Sequence, residues 1–195
     1  TETFLRGVQE VASELGDWHQ RGKSIIPLDA ATVSDHLKHK LTDVLPKRPV
    51  TELGYFANPY LQCRDEHLSF SLHCGSWAIG NHVHTNNTPK SRKEDYLLFR
   101  GIILSAIAAY EPENAHVFSR RGSDRNRANK QPFPFVDWMI YLGNATIPAE
   151  ELPMVHAVEH IGGGTLVTLK PERLHLDRLE DLALVEAVEP IIRRH

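Results

Sequence analysis

Leu68-Ser69-Phe70-Ser71-Leu72-His73-Cys74 is the stretch on which the fold turns. Apolar residues alternate with polar ones over seven positions. A strand has a side-chain period of two, so this pattern puts Leu68, Phe70, Leu72 and Cys74 on one face and Ser69, Ser71 and His73 on the other. The turn-like pair Asp65-Glu66 precedes it, and before that Tyr60 to Arg64 reads as a partner strand. Gly75 and Ser76 turn the chain into a further strand, Trp77 to His84, and Thr85-Asn86-Asn87-Thr88-Pro89 reads as a loop. The middle of the chain therefore predicts an antiparallel sheet.

Helical spacing appears on either side. Thr3 is a candidate cap for a first helix, with Phe4, Val8, Val11, Leu15 and Trp18 on one face and Gly22 as the stop. A second short helix is expected from about Ala30 to Leu41. A central helix from about Ser91 to Tyr110 is apolar over a wide arc, which predicts burial, and Glu111-Pro112 ends it. Ala115 to Ser119 reads as a short strand, Arg120 to Pro134 as a loop, and Trp138 to Leu142 as renewed order. Gly162-Gly163-Gly164 joins two strand-like runs, 155–161 and 165–169, as a hairpin. A last helix opens near Asp177 and stops or kinks at Pro190. The fold class expected is α+β: one domain over residues 1–195, with an antiparallel sheet, helices at both ends and one central helix.

Composition bounds the function. The 195 residues are 41% hydrophobic and 24% charged, which excludes a disordered chain. A net charge of -3 excludes a strongly basic protein held to nucleic acid by charge alone. No run approaches the roughly 20 apolar residues of a membrane helix. Two cysteines, Cys63 and Cys74, suit a reducing, cytoplasmic setting and leave their pairing open. No signal peptide is visible, although a chain that starts at Thr1 leaves a removed leader open.

The chemical candidates are few. His82-x-His84 places two histidines on one strand face and His73 lies on a neighbouring strand, a set able to bind zinc. Twelve histidines make chance proximity ordinary, so the expectation is no metal and no cofactor. Cys74 lies in the apolar phase of its strand and reads as a core residue. The glycine triplet lacks the Lys-Ser/Thr and the helix of a phosphate loop. No catalytic residue is expected. Two charged regions remain. Residues 120–130 carry Arg120, Arg121, Arg125, Arg127 and Lys130, while from Ala145 onward nine acids face five basic residues. Either region suits a protein partner. Glu150, Glu151, Asp177, Glu180 and Asp181 would meet a basic surface, and Arg120, Arg121, Arg125 and Arg127 an acidic one. The alternatives are a metal-dependent hydrolase using the histidines, or a nucleic-acid module using residues 120–130.

A family resemblance emerges from the order of the pieces. Leu72-His73-Cys74-Gly75 ends a strand. The helix 98–110 and the step Glu111-Pro112-Glu113-Asn114-Ala115 follow. Trp138-Met139-Ile140-Tyr141-Leu142 comes next, then Gly162-Gly163-Gly164-Thr165-Leu166-Val167 before a short helix. This order resembles the immunity protein 52 family of bacterial polymorphic-toxin and type VI secretion systems. The likeness covers roughly Leu53 to Arg194 and leaves the N-terminal helix, within residues 1–22, outside it. It implies a cytoplasmic α+β antidote that binds a cognate toxin, often one with a nuclease domain of restriction-endonuclease-like fold. It carries no contact residues over to this chain, and no membrane or direct nucleic-acid partner is expected.

Overall fold

The computed structural model describes residues 2–13, 18–19, 27, 29, 31–32, 60–63, 68–73, 82–87, 94–128 and 135–195. The chain falls into two compact units, Thr1–Lys93 and Glu94–His195. Its class is α+β, and the antiparallel strands form two four-stranded sheets where a single sheet was expected.

In the first unit, α1 (Glu2–Val11) buries Phe4, Leu5 and Val8. It is shorter than the spacing predicts, and Thr3 lies inside it rather than capping it. Trp18 leaves the predicted helical stripe for strand β1 (Trp18–His19), where it pairs with Cys63 and is fully buried. Strands β2 (Tyr60–Cys63), β3 (Leu68–His73) and β4 (His82–Asn87) complete the order β1-β2-β3-β4. Thr85, Asn86 and Asn87, expected in a loop, extend β4, because Phe70, Ser69 and Leu68 of the alternating stretch pair with them. Of the helix expected near 30–41, Ala31 and Thr32 are helical, with Asp29 accepting from the Thr32 N–H at 2.8 Å. The rest of that helix lies outside the described residues, as does Cys74.

The second unit is built on strands β5 (Asn114–Val117), β6 (Met139–Leu142), β7 (Ala157–Ile161) and β8 (Gly164–Thr168), in the order β5-β6-β8-β7. Every residue of β6 and β8 is buried, so both faces of the sheet centre are covered. Register aligns Ala115, Tyr141, Leu166 and Glu159 across one face. Helix α2 (Tyr96–Tyr110) lies on that face, since Arg100 pairs with Glu159. On the other face, Thr165 Oγ1 donates to the Ala145 carbonyl at 2.7 Å and accepts from the Ile147 N–H at 3.0 Å, which ties residues 145–147 across it. The core joins Ile103 and Ile107 of α2, the two central strands, and Val185, Val188 and Ile192 of the last helix, α4 (Leu179–Ile192). Pro190 lies within α4 rather than ending it, because in the last turn only one backbone bond is lost.

Local chemistry sets the ends of α2. Asp95 caps it by accepting from the Leu98 N–H at 3.0 Å. Glu111 closes it in the left-handed region, at φ 44°, with its N–H on the Ile107 carbonyl. The β7–β8 hairpin turns through Gly162 and Gly163, at φ 59° and 82°, the signs a two-residue primed turn requires. Gly164 is needed for a different reason: a Cβ there would lie 2.2 Å from the Leu142 carbonyl oxygen. Gly164→Ala should therefore lower the unfolding free energy by about 2–3 kcal/mol in urea titration. Gly163→Ala meets no atom within 4 Å and should cost only the backbone strain, about 1–2 kcal/mol.

Candidate functional site

The basic stretch expected as a loop is a helix, α3 (Arg120–Ala128). Its charge density and lack of an apolar stripe hide it from periodicity. Three tertiary features make it helical. Ser119 stands at the N-cap, its Oγ accepting from the Gly122 N–H at 3.0 Å. The Ser119 N–H and Oγ–H both donate to Asp137 Oδ2, at 2.9 and 3.1 Å. Asp137, buried beside β6, thus anchors the helix start. Gly122 lets the helix come this close, since a Cβ would lie 1.9 Å from Asp137 Oδ2. Residues 129–134, the rest of the expected loop, lie outside the described residues.

Burial pushes the Asp137 carboxyl up to about 6, against the hydrogen bonds from Ser119 that favour its charged form. A folded value above the unfolded 3.8 means the folded state holds this proton more tightly. Its contribution to stability is full below about pH 3.8 and is lost as pH rises through about 6. Relative to Asp137→Asn, the wild type should gain about 2 kcal/mol between pH 7 and pH 4. Paired urea titrations at the two pH values check this.

The third feature is charge pairing between α3 and the α4 region. Arg121 meets Asp177 at 2.9 Å. Arg125 lies 3.5 Å from Glu189 and 3.9 Å from Glu186, and Arg193 closes on Glu189 at 2.7 Å. Glu189 is buried at 7% exposure, so its two arginines keep a carboxylate in the interior neutralised. The basic and acidic regions that compete as partner surfaces in the sequence are therefore neighbours that partly neutralise each other. Arg121, Asp177, Glu180 and Glu186 remain exposed along this helix pair. The side chains of Arg120 and Arg127 lie outside the described residues.

The five predicted acids separate. Asp181 is 1% exposed and is an internal ligand rather than a surface charge. It accepts from Lys170 Nζ at 2.6 Å and from the His175 N–H at 2.8 Å. Burial raises its affinity for a proton, but those two donors outweigh burial and hold it below the usual carboxylate value. Asp177 is lowered chiefly by its own backbone N–H and by Arg121. These residues and Glu180 gather at the start of α4, where the helix dipole favours acids. Glu150 and Glu151 lie near its other end, about 20 Å away by helix rise. There Glu151 contacts Arg194 at 3.4 Å and His195 at 3.2 Å, while Glu150 makes no ion pair among the described residues.

A cavity lies between Glu111, Pro112, Glu113, Gly143, Asn144 and Gly162, with Tyr141 as a further wall. Burial, then the Glu111 charge, pushes the Tyr141 phenol up, and its hydroxyl donates to the Ile161 carbonyl at 3.2 Å. No sequence signal marked it, because it arises from the left-handed turn at Glu111 meeting the glycine hairpin. Among the described side chains no group of His, Cys, Asp and Glu gathers as a metal site, and no described helix is long and apolar enough to cross a membrane.

The model for immunity protein 52 matches residues 1–194, essentially the whole chain. The chain belongs to the immunity protein 52 family. The match begins at residue 1, so α1, left outside the motif-based likeness, lies within the family region. No curated protein matches the chain significantly. Membership gives this family member the role of an immunity protein, with a cognate toxin as partner. The scaffold beneath its charged helix pair depends on Asp181. Asp181→Ala should lower stability by about 3 kcal/mol, while Glu180→Ala next to it should change stability by less than about 0.5 kcal/mol. Urea titration of the two variants checks the contrast.

Proposed function

We propose that this protein acts by binding rather than by chemistry. In the cytoplasm it holds a cognate polymorphic toxin, delivered by a type VI secretion system, whose active part is a nuclease of restriction-endonuclease-like fold. The observation that carries the reading is the family match over residues 1–194. The architecture of the second unit supports it: a sheet whose two central strands are wholly buried makes a rigid platform, and α3 and α4 of the same unit display charge.

The docking surface in this reading is the α3–α4 face, with Asp177, Glu180 and Glu186 as its acids and Arg121 as its base. A nuclease presents basic groups to the phosphates of its substrate, so acids on an inhibitor match that groove. Charge of this kind accelerates capture, which matters when a single free nuclease damages the genome. Glu150 and Glu151 offer a second acidic position at the far end of α4.

The test is co-expression with the toxin encoded beside this gene, read as survival and co-purification. Rescue and a stable complex are expected; no binding and no rescue overturn the proposal. Within the complex, Glu180→Lys with Glu186→Lys should weaken affinity at least ten-fold and flatten its salt dependence. Glu150→Lys should leave both unchanged. The reverse result moves the docking surface to the far end of α4.

A further inference from the structure

Backbone pairing in the first unit sorts its strands into two faces. Register puts His19, Gln62, Ser69 and Asn86 in one row, Tyr60, Ser71 and His84 in the next, and His73 with His82 in the last. Trp18, Leu61, Cys63, Leu68, Phe70, Leu72 and Val83 belong to the opposite face, together with Thr85 and Asn87. Apart from Tyr60, the first face is polar, and it carries no Lys, Arg, Asp or Glu at these positions.

Three histidines are neighbours on that polar face. His73 and His82 are direct cross-strand partners, and such partners hold their Cβ atoms about 5 Å apart. His84 is two residues from His82 on the same strand and diagonal to His73, since it pairs with Ser71. Diagonal neighbours are about 7 Å apart. His-x-His on one strand with a third histidine facing the first of them gives three imidazole-bearing positions at spacings that one ion can bridge. Imidazole suits zinc, copper and nickel, with zinc–nitrogen bonds of about 2.0–2.1 Å.

We propose that His73, His82 and His84 form a binding site for a divalent first-row transition metal, zinc above all. The site lies at the His73–His82 end of the β3–β4 ladder. An ion bound at this juxtaposition would tie the two strands together. The sequence singles out this trio among twelve histidines, and the pairing of His73 with His82 sets the three positions side by side. The proposal stands apart from toxin binding and does not depend on it.

The test uses the full chain without a histidine tag, titrated with zinc chloride by calorimetry and with cobalt chloride by visible absorption. One equivalent of zinc per chain is expected, with a tetrahedral cobalt spectrum. His73→Ala, His82→Ala and His84→Ala should each weaken binding at least ten-fold, and His156→Ala in the second unit should not. The same positions as His→Gln guard against misfolding, with circular dichroism confirming that each metal-free variant keeps the wild-type spectrum. Zinc should also slow amide exchange in 68–73 and 82–87 more than elsewhere. Absence of stoichiometric binding overturns the proposal, as does binding that survives all three substitutions or falls equally with His156→Ala.

Discussion

The second unit depends on one constraint: Met139-Ile140-Tyr141-Leu142 must be buried on both faces. A strand of this kind cannot sit at an edge or under a single layer. It takes β5 and β8 as neighbours, and β8, also wholly buried, takes β7. Helix α2 covers one face, and the segment tied down by Thr165 crosses the other. Val185, Val188 and Ile192 bring α4 into the same core. The apolar burial supplies the driving force, and the polar contacts at its margin fix the orientation of each piece.

Those marginal polar groups connect fold to function. Asp137 holds the start of α3, Asp181 holds the loop before α4, and Glu189, paired with Arg193 at the end of its own helix, joins α4 to α3 through Arg125. Each is a carboxylate removed from water and compensated by donors placed for it. Losing one partner of such a set leaves an uncompensated group, so these contacts specify geometry more than they add net stability. An immunity protein needs a surface presented in one conformation, because recognition of a toxin is paid for partly in ordering entropy. The charges that remain exposed on α3 and α4 stand on this fixed base.

Much of this was legible in sequence. The alternation at 68–73 marks β3, the wide apolar arc marks α2, and Gly162-Gly163 marks the hairpin, because each signal is local and periodic. The failures have a common cause. Trp18 follows helical spacing, yet pairing with Cys63 draws it into a strand. Asn86 and Asn87 have turn chemistry, yet a ladder with Ser69 and Leu68 overrides it. The 120–128 segment has no apolar face, yet its cap, its buried aspartate and its ion pairs to α4 make it helical.

The sequence by itself determined the α+β class, the main strands and the family to which the chain belongs, since hydrophobic period and motif order are properties of neighbouring residues. Only the tertiary structure decided which charges are surface and which are internal. Asp177, Glu180 and Asp181 are near-equivalents in sequence, but one is bridged to Arg121, one is free to solvent and one is enclosed by Lys170 and the His175 amide. It likewise divided the strands between two sheets and set His73 opposite His82. The physical reason is that burial and pairing depend on partners distant along the chain, which composition and spacing do not encode.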